Sequence, residues 1–303
     1  MKTVQSAIDK LRSQAEEAST PLPMLMLKSQ KIAESVLHGE HARRRPGSGE
    51  NFWQFREYTP TDRPQDIDWR QSAKGDDVYI KQKEWLVTRK VLFWCAGGKS
   101  MNFGSNPENT FYTKQENAQI MCLALALLLQ RSYEQIGFLG GGRAGRGELA
   151  MEKLGQYLLD RGHARPEGAL LPDTNSYALP RHAIFIGVGD FLSPIEEIET
   201  RFDILGQQTK NALIIQTLDP AEMDLRFAGR VRFKGMYAGE EEIINNVANI
   251  RESYKQRIKE HTKRIKELCL HYNWHYQLHR TDEDIADTLK DIWESIERGS
   301  VRK

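Results

Sequence analysis

The chain has 303 residues, with 43 Lys+Arg against 42 Asp+Glu for a formal net charge of +1, and is 39% hydrophobic and 28% charged. That length suits one large domain or two ordinary ones, and it buries enough apolar surface to fold without disulfides or metals. The near-neutral charge argues against a dedicated nucleic-acid binder, and the composition argues against a disordered chain or a membrane protein.

Two helical patterns open the chain, the first near Val4–Ala18 and the second over Leu22–Glu40, where Leu25, Ile32, Val36 and Leu37 fall close to helical spacing. Gly39 and the run Arg45-Pro46-Gly47-Ser48-Gly49 end the second helix and start a loop. From Phe52 to Trp85 the chain is aromatic, charged and turn-rich, which predicts an irregular or hairpin module with short strands such as Val78–Lys81.

At Lys90 the pattern changes. Val91–Cys95 is an apolar strand, Gln115–Gln135 an apolar helix, Ile136–Leu139 a short strand and Glu148–Arg161 a helix. Ala183–Val188 is a buried strand, followed by Ser193-Pro194-Ile195-Glu196 as an expected capping box, and Ala212–Gln216 is the next strand. Residues 219–246 suit a small β insertion. Val247, Ile250, Tyr254, Ile258, Ile265 and Leu268 then stripe a helix of about 24 residues. Trp274, Tyr276 and Leu278 alternate as a final strand, and Thr281 is the expected cap of a last helix striped by Ile285, Leu289, Ile292 and Ile296. Strands alternating with helices from Lys90 onward predict an α/β fold with a mostly parallel sheet. The expected division is an N-terminal module over 1–84 and an α/β domain over 85–303.

Cys95, Cys122 and Cys269 are scattered and form no C-x-x-C pair, as expected of buried thiols in a reducing compartment. The start of the chain has no apolar signal-like core, and the longest apolar run, Ile120–Leu129, is half of what spans a bilayer. Together these predict a cytoplasmic protein without a transmembrane segment.

Several motifs invite chemical readings. Gly140–Gly147 contains G-x-G-x-x-G, but the acid that follows, Asp160, falls late in a helix where a ribose-binding carboxylate does not belong, so a glycine-rich connection is the simpler reading. His271, His275 and His279 would share a helix face. On the expected strand they lie ~13 Å apart at ~3.3 Å per residue, too far to share one ion, and read as a polar strand face. Arg43, Arg44 and Arg45 form a basic cluster suited to docking an acidic partner, with nucleic acid the alternative. Asp62, Asp66, Asp68, Asp76 and Asp77 offer carboxylates for a metal-dependent hydrolase or nuclease. Interleaved with Arg56, Tyr58, Arg70 and Ser72, they read more simply as a buried ion-pair and hydrogen-bond knot anchored by Trp69. No G-x-S-x-G elbow or cysteine-nucleophile signature proposes an enzyme.

The stretch Phe55–Asp62 followed by Asp66–Lys74 resembles the R-E-Y-x-x-G-D-x-x-R-x-I-D-W-x-x-S-A-R signature of the bacterial family catalogued as domain of unknown function fifty-eight. The resemblance continues through Val91–Ser105, Gly189-Asp190-Phe191, Leu218–Glu222 and Arg280-Thr281-Asp282, covering Met24–Ile296; Thr61 stands for the family glycine and Gln65 for its arginine. It implies a von Willebrand factor A-like domain, a Rossmann-type, mostly parallel sheet with flanking helices, whose metal-ion-dependent adhesion site uses D-x-S-x-S after the first strand and an aspartate after a later one. The aligned residues here are Ala96-Gly97-Gly98-Lys99-Ser100 and Asp190. Without the first aspartate, Ala96, Gly98, Ser100 and Asp190 are expected to form a degenerate site with weak or absent Mg²⁺ affinity, its rim kept for protein binding and joined by Gly140–Gly147. The resemblance further implies a non-catalytic adaptor for a MoxR-type AAA+ ATPase in chaperone-like maturation or assembly of unknown client proteins.

Overall fold

The computed structural model describes residues 21–40, 52–59, 62–75, 77–83, 89–105, 113–132, 134–162, 170–177, 179–180, 182–234 and 241–300. The first expected helix, the Arg43–Arg45 cluster, Thr61 and Asp76 lie outside them. The chain forms two compact units, residues 40–88 and the remainder.

The larger unit is built on five parallel strands: β3 (Lys90–Cys95), β4 (Gln135–Phe138), β5 (Ile184–Gly189), β6 (Asn211–Leu218) and β9 (His275–Arg280). Their order is β4-β3-β5-β6-β9. β3 and β5 are buried on both faces over most of their length, which is why they read as unbroken apolar runs. The connecting helices are α3 (Lys114–Arg131), α4 (Glu148–Gly162), α5 (Ile195–Gln208), α7 (Arg251–His271) and α8 (Ile285–Ser300). The sequence's α/β assignment holds. Among the described residues, no helix is long and apolar enough to cross a membrane.

The expected boundary between modules moves. Helix α1 (Pro21–Glu40) belongs to the sheet unit rather than to a separate N-terminal module over 1–84: Leu25, Ala33 and Val36 are buried in the common core. Leu22 lies over α4 so closely that a methyl on Gly155 would come within 2.5 Å of its Cδ1. The apolar stripe of α1 needs a partner, and α4 meets its first turns at Leu22 and Met26.

Three local expectations are corrected. Ser193 makes no cap; α5 begins after Pro194 without a side-chain cap hydrogen bond. Thr281 does not cap α8, since Asp284 accepts from the Ala286 amide at 2.9 Å in that role. The Gly140–Gly147 loop is not a simple link to a helix either. It doubles back so that Gly145 pairs antiparallel with Ile136, turning through left-handed Gly140 and Gly142, where L side chains are strained. Only its beginning reaches the carboxyl edge of the sheet.

Within residues 219–246 lie the short helix α6 (Pro220–Asp224) and an antiparallel pair, β7 (Val231–Lys234) with β8 (Glu241–Ile244).

In the smaller unit, β1 (Phe52–Glu57) pairs antiparallel with β2 (Tyr79–Lys83), and the intervening chain forms the single turn α2 (Trp69–Ser72). The knot is local. Arg56 Nη2 meets Asp62 at 2.7 Å, and Asp62 also accepts from the Thr59 amide and hydroxyl. These donors, the arginine first, hold the Asp62 carboxyl well below the usual carboxylate range. Asp68 caps α2 through the Gln71 amide, the Ser72 hydroxyl accepts from the Tyr79 amide at 2.8 Å, and the Tyr58 amide donates to Val78. The knot is not buried around an anchor: Trp69 is 67% exposed, and Arg56 and Asp62 are partly open to solvent.

Candidate functional site

In an open parallel sheet, ligand and partner sites gather beyond the carboxyl ends of the strands where the strand order reverses. Here that reversal lies between β3 and β5. The strands end nearly level, since Cys95 pairs with Val188, Gly189 with Gln216, and Leu218 with Arg280. The next residue on each strand is therefore Ala96, Asp190, Asp219 and Thr281, a row along one edge.

Ala96 is fully buried, and its amide donates to the Val188 carbonyl at 2.7 Å, prolonging the β3–β5 ladder. A methyl on Gly189 would fall 2.6 Å from the Ala96 Cβ, so this seam admits little more than Ala96 itself. Gly98 turns the loop with φ 98°, and the Ser100 hydroxyl is buried without a partner. Asp190 is 1% exposed. Its carbonyl accepts from Gln216 Nε2 at 2.9 Å, and Gln216 in turn accepts from the Tyr276 hydroxyl. Phe191, held at φ 50° and packed between Trp94 and Phe202, fixes the chain on the other side.

The cation facing Asp190 is a side chain. Lys114, the first residue of α3, is completely buried, and its Nζ lies 3.0 Å from Asp190 Oδ2 and 2.7 Å from Glu222 Oε1. A capping box sets its position: Thr113 accepts from the Glu116 amide while Glu116 accepts from that of Thr113. A second capping box on α6 presents Glu222, whose other oxygen accepts from the Asp219 amide. Asp219 itself accepts from the Ser105 amide and hydroxyl, the Ala221 amide and the Thr281 hydroxyl. The result is one connected network of Lys114, Asp190, Glu222, Asp219, Ser105 and Thr281.

Its electrostatics follow from burial and from two carboxylates sharing one ammonium. Burial lowers the Lys114 pKa, but the attraction of Asp190 and Glu222 more than offsets it, so the net direction is up. Burial raises the Glu222 carboxyl, and Lys114 only partly opposes it. The Tyr254 phenol is raised by burial and by the Glu222 charge.

This network tests the Mg²⁺ site implied by the resemblance. Ala96 and Gly98 offer no side-chain oxygen, and the Asp190 carboxylate is already neutralised by the Lys114 ammonium. With the Lys114 ammonium occupying the space between Asp190 and Glu222, the residues present do not fit a hard divalent ion there. Among the described residues, no three His, Cys, Asp or Glu side chains gather as a metal site.

The remaining candidates do not converge on this edge. His271 and His275 are exposed, at the end of α7 and the start of β9. His279, expected on a polar strand face, is fully buried between Thr288 at 2.8 Å and Asn117 at 3.0 Å. Asn117 donates its own amide to the Thr113 carbonyl, so its oxygen receives the His279 Nε2 proton and Thr288 donates to Nδ1. Burial pulls His279 down to about 4 and keeps it neutral. In the smaller unit, Asp62 is engaged with Arg56 and Thr59, and Asp68 with the Gln71 amide.

Sequence reasoning found Ala96, Gly98, Ser100 and Asp190 as site positions but missed Lys114, and it met Ser105 and Asp219 only inside family-signature stretches. Glu222 and Thr281 had entered only as signature or capping residues. Two sequence signals point to the missing pieces: Thr113-x-x-Glu116 and Asp219-Pro220-Ala221-Glu222 are both capping boxes, and each delivers a charged side chain to the row.

A family model described as "Protein of unknown function DUF58" matches residues 54–264. The match stops before β9 and α8, and so before Thr281. No curated protein and no solved structure matches the chain.

Proposed function

The chain belongs to the DUF58 family of proteins of unknown function, and on that premise we propose that it is a non-catalytic protein-interaction module. Its partner is a MoxR-type AAA+ ATPase, for which it acts as adaptor in the maturation or assembly of client proteins. The carrying observation is the closed network at the switch point. Asp190, Lys114, Glu222 and Asp219 are engaged in one network, so none of these four is free as an acid, base or metal ligand, while Lys99 and Asn102 stay exposed beside them for docking. Charge on such a rim, with Arg43, Arg44 and Arg45 as a second docking element, sets on-rate and orientation. The buried thiols Cys95, Cys122 and Cys269 suit a reducing cytoplasm, where they stay inert.

The test is capture on the tagged full chain from its native cells, with ATP and with ADP, followed by mass spectrometry. The expected result is nucleotide-dependent recovery of a MoxR-type ATPase. Reversing one rim charge with Lys99→Glu lowers that recovery ~30-fold, the effect of one interfacial hot spot of about 2 kcal/mol. Recovery of no AAA+ protein in either nucleotide, or equal recovery with the variant, overturns the proposal.

A further inference from the structure

The edge of this sheet contains a cation position, and its cation is covalently tethered. Three observations support this. Lys114 is 0% exposed, so its ammonium has left water entirely and is held by protein oxygens alone. Those oxygens come from separate parts of the chain, Asp190 after β5 and Glu222 on α6, so the ammonium joins segments that are not otherwise linked through these side chains. The position that would supply the principal ligand of a divalent ion carries the fully buried Ala96 methyl, which offers no oxygen.

An ammonium and a hydrated divalent ion meet the same carboxylates by different means. The ammonium donates directional hydrogen bonds at ~2.7–2.9 Å, whereas Mg²⁺ takes one or two carboxylates and several waters in a larger octahedral shell. Only one of them can occupy the position. We propose that Lys114 is the resident cation of this edge: it replaces the divalent ion, so the edge assembles independently of divalent cations, and deleting the ammonium opens a Mg²⁺ or Mn²⁺ site on Asp190 and Glu222. A fully buried ammonium cannot ligate a partner's carboxylate either. Docking at this edge therefore proceeds through the rim loops and not through a shared metal, which deepens the adaptor reading without depending on which ATPase is bound.

The test reads the protein alone, so its failure is distinguishable from failure of the partner reading. Thermal unfolding and calorimetric titration are run on the full chain in EDTA and then in MgCl₂ or MnCl₂. The wild type is expected to show the same midpoint throughout and no binding heat at this site. Lys114→Ala is expected to unfold earlier in EDTA and to recover by about 5–11 °C with free ion ~100-fold above its dissociation constant. The double variant Lys114→Ala/Glu222→Gln is expected to lose that response, which assigns the ion to this edge. Stoichiometric Mg²⁺ or Mn²⁺ binding by the wild type that is lost in Asp190→Ala overturns the inference. So does a Lys114→Ala protein indifferent to both ions, including one that no ion restores to the folded state.

Discussion

Replacing Lys114 with Met removes the ammonium while keeping an unbranched side chain of similar length, so packing changes little and charge changes by one. What remains is the buried Asp190 carboxylate, 2% exposed at its side chain, and Glu222 at 17%, facing each other without a counterion. Breaking a buried pair in this way costs about 3–5 kcal/mol. For a unit the size of the sheet domain, that lowers the midpoint by roughly 6–20 °C. Glu222 relieves part of the cost by taking up a proton, a step its raised pKa already favours. The folded state then prefers protonated Glu222 more strongly, so the variant's deficit grows as pH rises through the raised Glu222 value and shrinks in acid. Urea unfolding across a pH series measures this. Neutralising the whole cluster, as Lys114→Met/Asp190→Asn/Glu222→Gln, should recover most of the loss, because an apolar or neutral substitute for a complete buried cluster is tolerated better than half of one. A loss below ~1 kcal/mol for the single variant at neutral pH would refute the reasoning, since a surface lysine costs no more than that.

His279 predicts acid sensitivity. Its folded pKa of about 4 lies below the ordinary 6.5, so its contribution is complete above 6.5 and is lost as pH falls toward 4, roughly 3 kcal/mol in all. Its neighbours Thr288 and Asn117 do not titrate, and the charges of Asp282 and Asp284 offset only part of the burial. His279→Gln should flatten the stability profile over that interval, as read by denaturant midpoints; an unchanged profile contradicts the assignment. Gly189→Ala places its methyl 2.6 Å from the Ala96 Cβ and 3.4 Å from the Trp94 ring. It should cost ~1–3 kcal/mol, partly recovered by Ala96→Gly, and full stability of the single variant would show the seam to be loose. In the smaller unit, Asp68→Ala removes the cap on α2 and should cost about 1 kcal/mol, visible as faster amide exchange at Gln71.

The sheet was legible because its central strands are buried on both faces. Val91–Cys95 and Ile184–Val188 announce themselves as apolar runs, and the helices between them carry clear periodicity. The site was only half legible. Asp190 and the substituted positions 96, 98 and 100 stood out through the family resemblance, but their partner did not. A lysine at the first turn of a helix ordinarily reaches into water, and nothing local says that Lys114 points inward, because its carboxylates arrive from 76 and 108 residues away. Trp69 fails in the opposite direction. Its size suggests a buried anchor, yet α2 is a single turn with no buried residue to hold it. Thr281 looked like a cap because it precedes a helix by a few residues. The Leu218–Arg280 register brings it beside Asp219 instead, and that register depends on long-range strand pairing that no local pattern encodes.

The account centres on a charged, water-excluded ammonium between Asp190 and Glu222, and the side-chain ammonium spectrum of ¹⁵N-lysine-labelled protein observes it directly. A protected, slowly exchanging NH₃⁺ signal is expected, assigned by its loss in Lys114→Ala, present equally in EDTA and in MgCl₂, and surviving above the ordinary lysine range because its pKa is raised. A Lys114 signal that exchanges like a surface lysine, deprotonates below the ordinary lysine range, or changes on adding Mg²⁺ would contradict the account.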